Sequence, residues 1–246
     1  MRLKLCAHVV FVIAVLASVQ SRFVSAAVIP GITSLQDLIN RGPLVGNGVQ
    51  VGNDVFYNFT YSGSPTPNTV GAPNPTAIFV TSTDSGPGLR FAFPWTSTLG
   101  NNQNSLITYS VHVVDIGPIA PQFINNAILD FQSSVAATSL ADNANTTLTL
   151  GDNNGHVPFS EQTVLNTGTS PSTPISNSQA VSPALRDFGV SDGITVHTAP
   201  DSTGSATITF VDNIFGQSAV PEPGLLSLFG IAALGLLARR RSTRIV

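Results

Sequence analysis

The stretch from residue 27 to residue 219 contains no lysine and no cysteine, and it has little positive charge. Three arginines, at positions 41, 90 and 186, face twelve acidic residues, which gives this stretch a formal net charge of −9. So few cations cannot neutralise many phosphates, and the composition therefore excludes a nucleic-acid interface and a basic patch for anionic lipid. The lack of cysteine excludes disulfides, a thiol nucleophile and a thiolate metal site, because Cys6 lies before residue 27.

The first 26 residues have the features of a secretory signal peptide. Arg2 and Lys4 precede an apolar run from Leu5 to Val19, and Val24-Ser25-Ala26 offers small residues for cleavage. A positively charged start, an apolar middle and small residues at the cleavage site are typical of such signals. A membrane anchor is the alternative, but the run of 15 residues is short for a span of about 20. We therefore expect residues 1–26 to be removed on export.

A second uncharged apolar segment extends from Leu225 to Ala238. As a helix its 14 residues would be about 21 Å long, less than the hydrocarbon core of about 30 Å, so length alone also fits a buried core helix. Arg239, Arg240 and Arg241 follow directly, and Arg244 adds a fourth cation. Because cytoplasmic flanks of membrane helices carry excess arginine and lysine, we predict a transmembrane helix at 225–238 with a cytoplasmic stop after it.

The residues before this apolar segment complete a pattern of three parts. Pro221-Glu222-Pro223, the apolar segment and the arginine cluster together resemble the PEP-CTERM sorting signal of Gram-negative and related bacteria. The resemblance implies processing by an exosortase, a membrane cysteine transpeptidase-like enzyme that cuts near the tripeptide. It also implies release or transfer of the protein to the cell surface or the exopolysaccharide matrix. On this interpretation Pro221, Glu222 and Pro223 are recognised by that enzyme and are not catalytic.

Between these ends, polar and apolar side chains alternate in several short segments. In residues 105–115, Ile107, Tyr109, Val111 and Val113 share one face. Alternation of this kind is typical of half-buried strands. Similar segments are residues 54–61, 76–82, 88–93, 146–150, 157–165, 193–199 and 205–210. Disorder is the competing interpretation, because Gly, Pro, Ser, Thr and Asn are frequent, but a disordered chain lacks such regular apolar segments.

Turn residues separate these segments, at Asn47-Gly48, residues 84–88, Asn154-Gly155 and Asp192-Gly193. One short helix is predicted near residue 35, with Thr33 or Ser34 as its N-cap and Gly42 beyond its end. Eight to ten strands joined by such turns predict an all-β fold, an antiparallel β-sandwich of jelly-roll type. We assign residues 27–219 to this single domain, with the signal peptide before it and the sorting signal, residues 220–246, after it.

Three aromatic residues are candidates for contact with sugar rings. Val55, Tyr57, Phe59 and Tyr61 alternate along one segment, which predicts that they share an apolar face. Core packing is therefore the favoured role of Tyr57 and Tyr61. Trp95 follows a proline at a predicted strand end, and it is the best single candidate for an exposed glycan contact.

A calcium ion is the one cofactor that the sequence suggests. Asp152 and Asn154 lie in a stretch similar to part of a calcium loop, but Thr163 stands where an EF-hand loop needs its bidentate glutamate. A tight turn is the favoured alternative. Two further acids in predicted turns, Asp84 and Asp192, are candidate positions for a calcium ion that bridges the acidic body and an anionic glycan. The three histidines of this stretch, at positions 112, 156 and 197, have no metal-ligand spacing.

Nothing in the sequence identifies a catalytic site. It contains no G-x-S-x-G motif, and Glu161 is the only glutamate between residues 27 and 219. The favoured hypothesis is a non-catalytic protein of the cell surface or matrix, associated with exopolysaccharide. The alternative is a polysaccharide-acting hydrolase or lyase that uses carboxylates of the body. A cleft that gathers two carboxylates would favour the enzyme.

Overall fold

The computed structural model describes residues 34–63, 71–115, 121–136, 141–151, 158–167 and 170–219. These residues form two antiparallel sheets and one short α-helix, which confirms the predicted fold class. The strands are β1 (Val49–Val51), β2 (Asp54–Gly63), β3 (Phe79–Ser82), β4 (Gly88–Thr98), β5 (Asn102–Val113), β6 (Gln122–Ala136), β7 (Asn143–Gly151), β8 (Pro158–Thr167), β9 (Ser170–Leu185), β10 (Asp187–His197) and β11 (Ser205–Ala219).

The two sheets pack face to face around a single apolar core. One sheet, here sheet A, has the strand order β1-β2-β5-β10-β7-β8, and the other, sheet B, has the order β3-β4-β11-β6-β9. Aromatic rings meet between them: Phe188 of sheet A contacts Phe215 of sheet B edge-on, with ring centroids 5.5 Å apart. Phe91 and Tyr109 meet at 5.9 Å. Such contacts join the alternate residues of both sheets into one core.

Helix α1 (Leu35–Asn40) begins and ends as predicted. The Ser34 hydroxyl accepts a hydrogen bond from the Asp37 backbone N–H at 3.2 Å, so Ser34 is the N-cap. Gly42 follows the helix with φ +80°, a conformation that glycine adopts without strain. Leu35 and Leu38 bury one side of the helix against the core. No helix in the part of the chain described by the structure is long and apolar enough to cross a membrane.

A β-bulge in β2 changes which aromatic residues face the core. The pairing of β2 with β5 shifts between Tyr57 and Thr60, and Asn58 takes φ +56°. Phe56 and Phe59 are therefore both buried, although they are three positions apart in the strand. The prediction that residues 55, 57, 59 and 61 share one face is wrong, because the extra residue moves Tyr57 to the face opposite Phe59.

Two of the predicted turns are also wrong. The β1–β2 hairpin turns at Gly52 and Asn53, with Val51 paired to Asp54, while Asn47-Gly48 ends a short 3₁₀ helix before β1. Asp192 and Gly193 lie inside β10, paired on both sides with β5 and β7. By contrast, residues 84–87 do form a turn between β3 and β4, and the Thr83 N–H donates to the Gly88 carbonyl at 3.2 Å. Asn154-Gly155 lies outside the described residues.

Candidate functional site

Trp95 is fully buried, so the prediction that it makes an exposed glycan contact is wrong. The strand β4 does not end at Pro94 but continues to Thr98, and alternation along it points Pro94 outward and Trp95 inward. The indole Nε1–H donates to the Ser105 hydroxyl at 3.0 Å, and Phe93 meets the indole edge-on at 5.4 Å. Trp95 therefore stabilises the core and is closed to a ligand.

The two tyrosines of β2 do not form a common platform either. Tyr61 is half-buried against the core, and its hydroxyl shares a hydrogen bond with the Ser105 hydroxyl at 3.1 Å. Tyr57 lies on the opposite side of the strand because of the bulge at Asn58. Core packing is thus the role of Tyr61, and the structure brings none of the three sugar-contact candidates together on the surface.

Two aspartates lie inside the sandwich. Asp54 accepts a hydrogen bond from the Gln217 amide, and Asp192 accepts one from the Asn213 amide, which also donates to the Tyr109 hydroxyl at 2.9 Å. Burial raises the pKa of Asp54 to about 8 and that of Asp192 to about 7, and the amide hydrogen bonds oppose only part of this rise. Both carboxyls are therefore protonated in the folded protein at mildly acidic pH.

The buried position of Asp192 overturns its assignment to a calcium-binding turn. The side chain is completely enclosed in the middle of β10, and one of its oxygens has no hydrogen-bond donor among the described residues. Asp84 remains exposed in the β3–β4 loop, while Asp152 and Asn154 lie outside the described residues. Within the described ranges no three acidic, histidine or cysteine side chains are arranged to hold a metal ion.

Two outward-facing carboxylates lie side by side on sheet B. Asp130 of β6 and Asp212 of β11 are directly paired, and Arg90 of β4 pairs with Asp212 from the other side. The guanidinium binds both Asp212 oxygens, at 2.7 and 2.6 Å, and lies 4.3 Å above the Phe210 ring. Burial raises the pKa of Asp212, and Arg90 opposes that rise. Asp212 is thus engaged in a structural ion pair.

The histidines are also far from one another. His112 contacts Asp187 near one end of sheet A, and His197 contacts Asn102 at the other end, with Nδ1 and Oδ1 3.2 Å apart. His156 lies outside the described residues. Glu161 belongs to the edge strand β8, at the register position opposite Thr149. The described partners of His112 and His197 are thus a carboxylate and an amide, and neither is a hydroxyl or a thiol.

A cluster that sequence reasoning did not find lies on the outer face of sheet A. Asn104, Thr195 and Asn145 are direct neighbours on β5, β10 and β7, and all three are half-buried. The next row holds Asn102, His197 and Asn143. The signal was present in the sequence, because Asn-x-Asn occurs in both flanking strands and places two amides on one face. The sequence does not predict the cluster, because it does not show that β10 lies between β5 and β7.

The last strand leads directly into the predicted sorting signal. The strand β11 ends at Ala219, and a family described as the PEP-CTERM protein-sorting motif matches residues 219–241. The chain carries a PEP-CTERM protein-sorting motif. Such a motif indicates an exported, surface-directed protein, and the resemblance inferred from Pro221-Glu222-Pro223 is confirmed. These three residues, the predicted helix at 225–238 and Arg239, Arg240 and Arg241 lie outside the described residues, as does the predicted signal peptide.

Comparisons with other proteins say little about the function of the chain beyond this PEP-CTERM motif. No curated protein matches the sequence. Among solved structures, TmCBM61 in complex with β-1,4-galactotriose has 10% identity and a TM-score of 0.31, over 64% of this chain and 88% of that chain. The carbohydrate-binding module CBM36 with calcium and xylotriose has 14% identity and a TM-score of 0.23, over 50% and 88%.

The solved structure of an enzyme has a TM-score in the same range as these two carbohydrate-binding modules. The Arthrobacter globiformis T6 isomalto-dextranase complexed with panose has 10% identity and a TM-score of 0.26, over 67% of this chain and 24% of that chain. TM-scores of this size assign neither a ligand nor an activity to the PEP-CTERM chain described here.

Proposed function

We propose that the protein is an exported, non-catalytic β-sandwich that an exosortase processes at its PEP-CTERM signal and leaves at the cell surface or in the exopolysaccharide matrix. The observation that carries this proposal is the position of the motif. The family match begins at Ala219, the last residue of β11, so the recognised segment follows the folded body without a linker. Processing beyond this point would leave every described strand in place.

The chemistry of the body supports a non-catalytic role. Asp212 is bound by Arg90 through both oxygens, and Asp54 and Asp192 are enclosed in the core. A general acid or base must reach the substrate, and these three carboxyls do not. With a net charge of −9, the body would also repel an anionic polymer. A neutral glycan is therefore the form of matrix that this surface suits best.

Intact mass of the surface-associated protein tests the processing step. We expect a product that lacks residues 1–26 and everything beyond roughly Pro223, as the resemblance to exosortase substrates implies. Replacing Pro221, Glu222 and Pro223 with alanine should leave uncut protein in the membrane fraction, while Pro94→Ala, an exposed proline of β4, should be processed normally. A surface product that retains Arg239–Val246, or normal release of the triple variant, would contradict the proposal.

The enzyme alternative has one observation in its favour, the direct pairing of Asp130 with Asp212 across β6 and β11, and it requires Asp212 to leave the ion pair with Arg90. Directly opposed residues have Cβ atoms about 5 Å apart, close to the carboxyl separation of retaining glycosidases. Reproducible cleavage of a polysaccharide that disappears with Asp130→Asn or with Glu161→Gln would favour this alternative. Unchanged polysaccharide after prolonged incubation with the wild-type protein would count against it.

A further inference from the structure

The last four residues of β11 are held less firmly than the rest of the strand. As far as Ile214 the strand pairs with β4 on one side and β6 on the other, whereas residues 216–219 pair only with β6 among the described strands. Phe215 marks the boundary, because its ring meets Phe56 and Phe188 of sheet A and its N–H donates to the Pro87 carbonyl at 2.8 Å. We call residues 216–219 the terminal segment.

One side chain joins the terminal segment to the opposite sheet. The Gln217 amide donates a hydrogen bond across the sandwich to Oδ1 of Asp54, the first residue of β2 in sheet A. A second side-chain contact, from the Asn125 amide to the Ser218 hydroxyl at 2.9 Å, stays within sheet B. The position of the terminal segment against sheet A therefore depends on the chemical state of one carboxyl group.

The surroundings of this carboxyl favour its neutral form. Asp54 is completely enclosed, and its Oδ2 receives no hydrogen bond from any described residue. The ionisable groups around it inside the sandwich are Tyr109 of β5 and Asp192 of β10, and neither supplies a positive charge. An enclosed carboxylate with an unsatisfied oxygen and no cation beside it is strongly unfavourable.

The charged groups toward this end of the body are already paired with one another. They form three pairs on the outer faces of the sheets: Arg186 with Asp115, Arg90 with Asp212, and His112 with Asp187. Burial accordingly raises the pKa of Asp54 from 3.8 to about 8, and the hydrogen bond from Gln217 opposes only part of this rise.

Asp54 lies where water can reach it without unfolding of the whole sandwich. It directly follows the turn at Gly52 and Asn53, and it pairs with Val113, the last residue of β5. Separation of the terminal segment from β6 would remove Gln217 from the carboxyl and admit water to it. In that open form Asp54 has its ordinary pKa, so opening releases a proton and becomes up to about tenfold more favourable for each pH unit between these two values.

We propose that Asp54 and Gln217 form a pH-sensitive latch: protonated Asp54 holds the terminal segment on the body, and ionisation of Asp54 lets it separate. The PEP-CTERM motif begins at Ala219, the last residue of this segment. Opening would therefore lengthen the free chain before Pro221 by four residues, about 13 Å at 3.3 Å per residue. The value of this length to a processing enzyme rests on the proposed function, whereas the latch itself does not.

Hydrogen exchange of the full chain in detergent micelles, followed by mass spectrometry at pH 5.5, 6.5 and 7.5, tests the latch. We expect residues 216–219 to be less protected than residues 105–113 of β5, because local opening costs less than unfolding. After correction for the intrinsic exchange rate, protection of the terminal segment should fall by up to about tenfold for each pH unit. Asp54→Asn should abolish this pH dependence, because asparagine does not titrate.

Asp192→Asn is the matched control. Asp192 is also enclosed and also accepts from an amide of β11, but its partner Asn213 lies where β11 is paired on both sides. This variant should keep the full pH dependence of the terminal segment. Gln217→Leu removes the donor and leaves Asp54 in place, so it tests the latch even if Asp54→Asn does not fold. It should lower protection of residues 216–219 severalfold already at pH 5.5, the effect of losing one hydrogen bond.

Four results would each overturn the proposal. The terminal segment could exchange as slowly as residues 105–113, or its protection could be independent of pH. Asp54→Asn could keep the pH dependence of the wild type, or Asp192→Asn could abolish it. Wild-type protection of Gln217→Leu at pH 5.5 would likewise overturn it. None of these measurements involves the mass of the processed product, so failure of the latch and failure of the proposed function are distinguishable.

Discussion

Replacing the buried Asp54 with asparagine should remove much of the pH dependence of the stability of this protein. In the fold, burial raises the pKa of Asp54 from 3.8 to about 8, so the folded state keeps a proton that the unfolded chain releases near pH 4. Between these values the folded state binds more protons, and the free energy of unfolding therefore falls as pH rises. Above about pH 8 both states are ionised, and this contribution becomes constant.

The size of the effect follows from the shift in pKa. At about 1.4 kcal/mol for each pH unit, a shift of about four units corresponds to a loss of about 6 kcal/mol between acidic and alkaline pH, as an upper limit. This is comparable with the whole stability of a typical domain, roughly 5–15 kcal/mol. Asparagine has the same shape as a protonated aspartate and still accepts from Gln217, but it does not titrate. We expect Asp54→Asn to be about 2 kcal/mol more stable than the wild type near pH 5 and several kcal/mol more stable near pH 9.

Urea unfolding at pH values from 5 to 9 measures this directly. Trp95 is the only tryptophan and is completely buried, so its fluorescence reports the loss of the core. The free energy of unfolding of the variant should still fall with pH, but with a smaller slope, because burial also raises the pKa of Asp192, to about 7. Asp201→Asn, at an exposed aspartate, is the control and should keep the full slope. The reasoning is refuted if wild-type stability rises from pH 5 to pH 9, or if Asp54→Asn has the slope of Asp201→Asn.

Two further substitutions test other parts of the fold. Leu99→Asn should raise the free energy of unfolding by about 1 kcal/mol, because Leu99 has φ +53° at the tip of the β4–β5 hairpin and asparagine tolerates that conformation better. Leu106→Asn, at an exposed leucine in a regular strand, should give no such gain in the same urea titration. Trp95→Ala should lower the free energy of unfolding by about 3–5 kcal/mol, measured by circular dichroism, because it leaves a cavity and removes the partner of Ser105. An alanine variant with wild-type stability would show that Trp95 does not support the core.

Local patterns predicted those strands that contain no bulge themselves. Strand β5 is an example: Ile107, Tyr109, Val111 and Val113 face the core as their alternation indicated. The prediction of the faces of β2 fails because of the bulge at Asn58, and an asparagine between two aromatic residues does not by itself predict a bulge.

Long-range contacts explain the other failures. Asp192-Gly193 has the chemistry of a turn, but Asn213, which comes from the opposite sheet, provides a donor for the aspartate inside a central strand. The cluster of Asn104, Thr195 and Asn145 could not be predicted, since it requires β10 to lie between β5 and β7. No local pattern contains that pairing. Pro94 predicts a strand end and therefore an exposed Trp95, but β4 continues to Thr98 and turns Trp95 into the core.

The position of β11 has a mechanical consequence. This strand lies in the middle of sheet B, is hydrogen-bonded to β4 and β6 along most of its length, and ends where the PEP-CTERM motif begins. Tension applied to a chain held at that end would act along β11, so the bonds to both neighbours would resist it together in shear. An edge strand such as β3, paired on one side over four residues, would instead peel away from its neighbour a few bonds at a time. The strand that leads into the sorting signal is thus better able to bear a load than an edge strand such as β3.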